Sequence, residues 1–296
     1  MEIEAVTVIG AGPAGLAAAL QLKRYGIQAL VLEKSSPGGL LHNANLVENY
    51  PGFPGGIRGV DLVRLMTEQA LGIGVRVTHD EVIELDFVDD EFKIKTASAV
   101  YHSRQVVVAS GTKERRFGDF EVPEALSGRV LYEVYPLLEV SGGEIAIVGA
   151  GDAAFDYALN LARENQVLVL NRGTDLKCLP LLWERANVEP RIKYLENVTI
   201  RELVPSSKGH ILIKYSTPQG DSSLEADYLI GAIGRDPQLD FFSNNVKQNI
   251  RRLQRDGSLY LVGDVKNDIY RQTSIAVGDG ILAAMEIYKR EVEKDR

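Results

Sequence analysis

The chain of 296 residues contains one cysteine, Cys178, so it can form no intramolecular disulfide, no Cys-x-x-Cys redox pair and no multi-cysteine zinc or iron–sulfur site. Histidine is sparse as well. His42, His79, His102 and His210 are scattered without ligand spacing, which argues against a structural metal. No run approaches about 18 consecutive apolar residues, so no membrane-spanning helix is predicted. The apolar N-terminal stretch lacks the positive flank of a secretory signal: Glu2 and Glu4 stand there, and glycines with Pro13 interrupt the run. Net positive charge is missing too. The balance of −8 argues against dedicated nucleic-acid binding and against attachment to anionic lipid. The expectation is a soluble cytoplasmic protein. With 45% hydrophobic residues it can bury a sizeable core, and its length suits about two domains.

What the sequence does contain is a repeat. Residues 5–9 form a short β-rich apolar run suited to a buried parallel strand. Gly10-Ala11-Gly12-Pro13-Ala14-Gly15 follows, then an Ala/Leu-rich helix over 16–24. Pro13 suits the first helical turn, Lys23 and Arg24 complement the dipole at the far end, and Gly26 stops the helix. Residues 27–32 read as the next strand, which ends in Glu33. The same grammar recurs near the middle of the chain: a strand over 145–148, the loop Gly149-Ala150-Gly151-Asp152-Ala153-Ala154, a helix over 155–163 and a strand over 167–170. Each copy then passes through short alternating strands (91–95 and 210–214) and closes on an apolar strand ending in glycine, at 106–111 and 228–234. A lone G-x-G-x-x-G is weak evidence. Here a strand precedes it, a helix follows, and a discriminating residue stands at the end of the next strand, twice over. The pattern predicts an α/β fold with two dinucleotide-binding domains.

Each loop carries its own chemistry. The glycines let the backbone approach a pyrophosphate, which the helix N-terminus attracts. Glu33, closing the strand after the first helix, is placed to accept from ribose hydroxyls and to repel a 2′-phosphate. Spacing alone leaves FAD and NAD both open at this site. In the second copy, Asn171 occupies the equivalent place and is neutral; Arg172 follows it, with a guanidinium able to take a phosphate in bidentate fashion. The third loop position is Ala154, which the fingerprint allows.

Further segments carry a resemblance. Gly38-Gly39-Leu40, the stretch 47–54 with Glu48-Asn49-Tyr50-Pro51-Gly52, Gly263-Asp264-Val265, and Tyr270-Arg271-Gln272-Thr273 ahead of a last helix resemble the flavin-contacting segments of thioredoxin reductases, in order along essentially the whole chain. One departure is Leu40, where that family usually has Gln. The resemblance implies two Rossmann-like three-layer domains, the second inserted in the first: an FAD domain over 1–114 and 233–296, and an NAD(P) domain over 115–232. It implies FAD contacts at Gly10, Gly12, Pro13, Ala14, Gly15, Glu33, Lys34, Gly39, Leu40, Asn49, Tyr50, Val82, Ala109, Ser110, Gly111, Gly263, Asp264, Arg271, Gln272 and Thr273. Nicotinamide contacts are expected at Gly149, Gly151, Asp152, Ala153, Arg172 and Lys177. The family pattern His-Arg-Arg is reduced here to Asn171-Arg172-Gly173 with Lys177 beyond it, so half of the 2′-phosphate clamp is kept and NADPH is favoured over NADH. A homodimer is the family default.

The redox-active cysteines of that family align without a gap on Tyr132 and Tyr135. No internal dithiol can relay electrons to thioredoxin, because that relay needs a thiolate and a resolving partner. The two tyrosines are either ordinary packing residues or rings stacked on the isoalloxazine. Ferredoxin/flavodoxin–NADP reductases of the thioredoxin-reductase type also lack the pair, but they typically carry a C-terminal extension, whereas this sequence stops directly after the last helix. Net negative charge also disfavours their acidic partners. The leading expectation is an FAD-dependent NAD(P)H oxidoreductase with an external acceptor. Two alternatives stand beside it: a flavoprotein fed by a reduced electron carrier without nicotinamide, and a flavin-binding redox sensor without turnover. Hydride transfer needs no side-chain acid or nucleophile, so no catalytic residue is assigned.

Overall fold

The structure, a computed structural model, describes residues 3–206 and 209–294; Glu2 and the last two residues, used above for charge and for the chain end, lie outside them. The chain separates into two compact units. The first comprises 3–42, 47–113 and 236–294, the second Asn43–Leu46 and Glu114–Arg235.

Among the described residues, the first unit is built on a seven-stranded sheet. Ile3–Ile9 lies between Ala29–Glu33 and Val100–Val108, parallel to both. Such a central strand is buried on both faces, so its side chains divide between two cores. Val6 and Val8 join Leu16, Leu22, Ala283 and Ile287, from the helices Pro13–Arg24 and Thr273–Lys294. Ile9 joins Leu85, Phe92, Ile94, Phe242 and Leu253 on the opposite face. There the antiparallel strands Val82–Val88 and Glu91–Thr96 lead into Val100–Val108, and the helix Asn244–Arg255 covers them. The outer edge of Val100–Val108 is shared, its first half pairing with Glu91–Thr96 and its last three residues with Leu259–Leu261.

Pro13–Arg24 ends as the sequence predicts. Gly26 takes φ +79°, its N–H donates to the Lys23 carbonyl, and the Ile27 N–H reaches back to Leu22, the paired bonds of a glycine-terminated helix. The following strand therefore starts at Ala29, slightly later than the apolar run suggests.

The second unit repeats the plan with a five-stranded parallel sheet ordered Ile192–Leu195, Gln166–Leu170, Glu144–Val148, Tyr228–Gly231, Val130–Leu131. One face packs Ile145, Ile147 and Val169 against Phe155, Ala158 and Leu161 of the helix Asp152–Leu161. The other packs Ala146, Leu170 and Leu229 against Ile211 and Ile213 of an antiparallel three-stranded sheet over 199–226. The expected class is therefore seen: α/β, two Rossmann-like domains, one inserted in the other. The second helix starts earlier than expected, because Asp152 follows directly on the loop as its first residue. Asn43–Leu46 belongs to the second unit through hydrogen bonds: the Asn45 N–H donates to Asp156 at 2.8 Å, and Arg163 donates to the Asn45 side-chain oxygen at 2.7 Å. Among the described residues, no helix is long and apolar enough to cross a membrane.

Candidate functional site

The three glycines of the first loop are not equivalent. Gly10 has φ +99°, and a Cβ there would lie 2.4 Å from the Ala109 carbonyl oxygen. A Cβ on Gly15 would lie 1.9 Å from the Gly10 oxygen. The chain itself demands both. Gly12 is different: its φ of −70° suits any residue, and nothing stands within 4 Å of where its Cβ would be. It caps Pro13–Arg24 with no side-chain cap and no acidic residue in the first turn; the leading N–H groups of that helix have no intrahelical partner, and the space beside Gly12 is open. This is a cradle a pyrophosphate fits.

Other predicted residues gather around it. Glu33 is buried at 7% exposure; its Oε2 accepts from the Ala11 N–H at 2.7 Å, while Oε1 accepts from Ser35 N and Oγ at 2.9 and 3.1 Å. The neighbouring Lys34 is exposed. Gly39, at φ +54°, sits so that its Cβ would be 3.4 Å from the Gly12 Cα, and half-buried Leu40 follows it in the short helical turn Gly39–Asn43. Gly263, at φ +72°, faces the Ala14 methyl at 2.9 Å from a would-be Cβ, and Asp264 follows it. Its N–H donates to Asp279, which also holds Lys266 and Asn267. Gly280 lets the last helix approach the Ala14 carbonyl.

A second group forms at the start of that helix. Asn49 donates its side-chain N–H to the Gln272 side-chain oxygen at 2.6 Å, beside Thr273 and half-buried Arg271, while Tyr50 packs on Phe53. Ala109 backs Gly10. Ser110 Oγ donates to the Gln238 carbonyl at 2.6 Å, and the Gly111 carbonyl accepts from the Gln238 N–H at 3.0 Å. Val82 opens its strand just after Asp80, whose N–H donates to the Glu33 carbonyl. Sequence reasoning missed Gln238 and Asp279, which meet Ser110 and Gly263 only through the fold and leave no local signal.

The second loop repeats the first with changes. Gly149 has φ +141°, with a would-be Cβ 2.4 Å from the Ala232 oxygen. Gly151, with φ −97° and nothing within 4 Å, is the counterpart of Gly12. Ala154 stands fully buried where the first loop has Gly15. Asp152 accepts from the Leu179 N–H at 2.7 Å and the Lys177 N–H donates to Ala150 at 2.9 Å, so the stretch after Asn171 is laced along the loop; Ala153 and the Lys177 side chain are exposed. Asn171 is buried and turned inward: its amide donates to the Tyr194 hydroxyl at 2.9 Å and to the Asp175 carbonyl, and accepts from the Gly173 N–H. The Arg172 side chain is 79% exposed, 3.4 Å from the Asp119 carboxylate.

Tyr132 and Tyr135 take different roles within the second unit. The Tyr132 ring lies over Gly231, where a Cβ would be 2.7 Å from it, and its hydroxyl accepts from the Phe117 N–H at 3.1 Å. The Tyr135 side chain is exposed. Buried Asn43 accepts from the N–H groups of both Val134 and Tyr135, at 3.1 and 2.9 Å, and donates to Glu133, which pairs with Arg235 at 3.3 Å. Burial pushes the Tyr157 phenol up to about 12, with nearby Arg235 opposing it.

Residues 4–280 match the family described as Pyridine nucleotide-disulphide oxidoreductase. The chain belongs to that family. It is 31% identical to a thioredoxin reductase of Streptomyces clavuligerus, covering 96% of this chain and 93% of that one, and 33% identical to a thioredoxin reductase of Listeria monocytogenes over 96% and 92%. It is also 29% identical to a 34.2 kDa protein in the rubredoxin operon of Clostridium pasteurianum, over 95% and 94%. Among solved structures it is similar to thioredoxin reductase of Lactococcus lactis, with a TM-score of 0.84, 29% identity and 98% and 99% coverage. The fold alone is shared with a bacillithiol disulfide reductase of Staphylococcus aureus, at TM-score 0.74, 20% identity and 98% and 99% coverage. This is a thioredoxin reductase-like oxidoreductase with FAD/NAD(P) Rossmann domains, and its single cysteine means that it has no Cys-x-x-Cys pair.

Proposed function

We propose that the protein is an FAD-dependent NAD(P)H oxidoreductase, with FAD in a domain of residues 1–114 and 233–296, the nicotinamide in residues 115–232, and electrons leaving to an external acceptor without an internal disulfide. The observation that carries this reading is the pair Gly12 and Gly151. Both have ordinary φ and open space at the N-terminus of a helix, so neither is glycine for the chain's own sake. FAD, when bound, supplies the two-electron chemistry that accepts a hydride from the nicotinamide. The chain's part is placement. Gly12 and the Pro13 helix receive the pyrophosphate, Glu33 accepts from the ribose of the adenosine half, Gly263 and Asp264 face the ribityl chain, and Gln272 and Thr273 bring a helix N-terminus to the flavin ring. Gly151 and Asp152 front the second pyrophosphate, and Arg172 with Lys177 favours NADPH over NADH. A homodimer is part of this reading, by likeness to the family.

Anaerobic rapid mixing of the FAD-loaded protein with NADPH or NADH tests it. Fast bleaching of the flavin band is expected, with no turnover of added thioredoxin. A flavin left oxidised by both nucleotides, or catalytic thioredoxin reduction, would overturn it.

A further inference from the structure

We infer that Asp119 is a specificity-determining residue, which holds down the preference for NADPH by setting a carboxylate against the 2′-phosphate site at Arg172. This rests on the reading of the second unit as the nicotinamide domain.

Both members of the pair project from a fixed backbone. Arg172 follows Asn171, whose backbone N–H donates to Leu195 and whose buried amide bonds Tyr194, Asp175 and Gly173, so the Arg172 backbone is fixed at the end of the strand Gln166–Leu170. Asp119 sits between Phe117 and Phe120, whose rings pack on each other at 4.9 Å and lie on the core beneath the sheet. The Asp119 backbone is thus anchored far from Arg172 in sequence, with its carboxylate 3.4 Å from Arg172 in space. With both side chains nearly four-fifths exposed, the ion pair itself is weak, and an arriving phosphate displaces it readily. The carboxylate does not leave with the broken pair. Phe117 and Phe120, packed on the core on either side of it, fix the backbone from which the short Asp119 side chain projects, so the carboxylate stays near Arg172, where it repels a dianionic phosphate and leaves an unphosphorylated ribose untouched. Arg172 and Asp119 therefore act in opposite senses on the same substituent.

The test is calorimetric binding of adenosine 2′,5′-bisphosphate and of 5′-AMP to the FAD-loaded protein, a readout that needs no turnover. Asp119→Asn keeps the shape and removes the charge at an exposed position, so folding is preserved. Bisphosphate affinity should rise about tenfold at low salt, for a unit charge facing a doubly charged phosphate across roughly 5 Å of water-like dielectric, and the gain should shrink as salt is added. AMP affinity should stay within about twofold. Arg172→Ala should weaken the bisphosphate by roughly 10- to 150-fold and leave AMP unchanged. Unchanged bisphosphate binding in Asp119→Asn, or an equal rise for both probes, would sink the proposal for Asp119, while a selective loss in Arg172→Ala would leave the NADPH reading standing. If the unaltered protein binds neither probe, the nicotinamide reading fails and the role of Asp119 falls with it.

Discussion

The two glycine loops share a backbone and differ in how finished they are. In the first, Gly15 lets the helix come so close that a Cβ would sit 1.9 Å from the Gly10 oxygen, and a buried Glu33 carboxylate is already fixed by three hydrogen bonds beside Ala11. In the second, the corresponding residue is Ala154, the corresponding side chain is Asn171 folded onto its own turn, and the side chain beyond it, Arg172, stands out in solvent. A prearranged, buried site binds with little ordering cost and suits a resident cofactor. An exposed arginine that must be ordered on binding suits a nucleotide that comes and goes. On the proposed reading, the same motif serves as a holding site and as an exchange site through alanine at its third position and through a few residues beyond the loop.

The largest expected effect separates the two loops directly. Gly12→Val fills the open cradle without backbone strain, and should weaken FAD at least about 100-fold, as expected for losing two charge-assisted hydrogen bonds of roughly 1.5–3 kcal/mol each. Fluorescence titration of the apoprotein with FAD measures it, and a near-normal affinity would mean the pyrophosphate lies elsewhere. A smaller effect tests packing. Gly15→Ala drives a Cβ into backbone and should cost about 1–3 kcal/mol in denaturant melts, even though alanine is the better helix former. A neutral or stabilising Gly15→Ala would show that the two helices approach their strands alike and would erase the contrast.

A pH effect of similar or smaller size belongs to the second unit. The Tyr157 phenol is held protonated by burial, with its folded value near 12 against an ordinary 10.0. Its folded value is raised, so the stability it contributes is complete below about pH 10 and is lost as pH climbs toward 12. At pH 11 the loss should be roughly 1 kcal/mol, and Tyr157→Phe should flatten that part of the stability curve. A curve that Tyr157→Phe leaves unchanged would show that the hydroxyl ionises freely in the folded chain.

Much of this was legible in the sequence because it is local. Strand, glycine loop and helix form one short contiguous stretch, and the period of the apolar residues and the positions of Pro13 and Gly26 are properties of that stretch alone. The residues that could not be read are those joined by the fold. Asp119 meets Arg172, Asn43 holds the N–H groups of Val134 and Tyr135, and Gln238 holds Ser110 and Gly111, each pair brought together from distant parts of the chain. Tyr132 shows the limit well. The sequence aligned it with a cysteine position and left packing or stacking open; its ring over Gly231 depends on a strand that comes much later in the chain, and its hydroxyl on the Phe117 backbone. The inward turn of Asn171 is likewise invisible without Tyr194, which the parallel neighbour Ile192–Leu195 supplies.

If one loop holds FAD and the other presents the nicotinamide, Gly151→Val should separate the two. The variant closes the second cradle at a position with ordinary φ and free space, so the chain should fold and retain bound FAD. Mixed anaerobically with NADPH or NADH, its flavin should stay oxidised over the time in which the unaltered protein bleaches, and dithionite should still bleach it fully. Bleaching by either nucleotide at the unaltered rate, or loss of FAD from this variant, would contradict the assignment of the two loops.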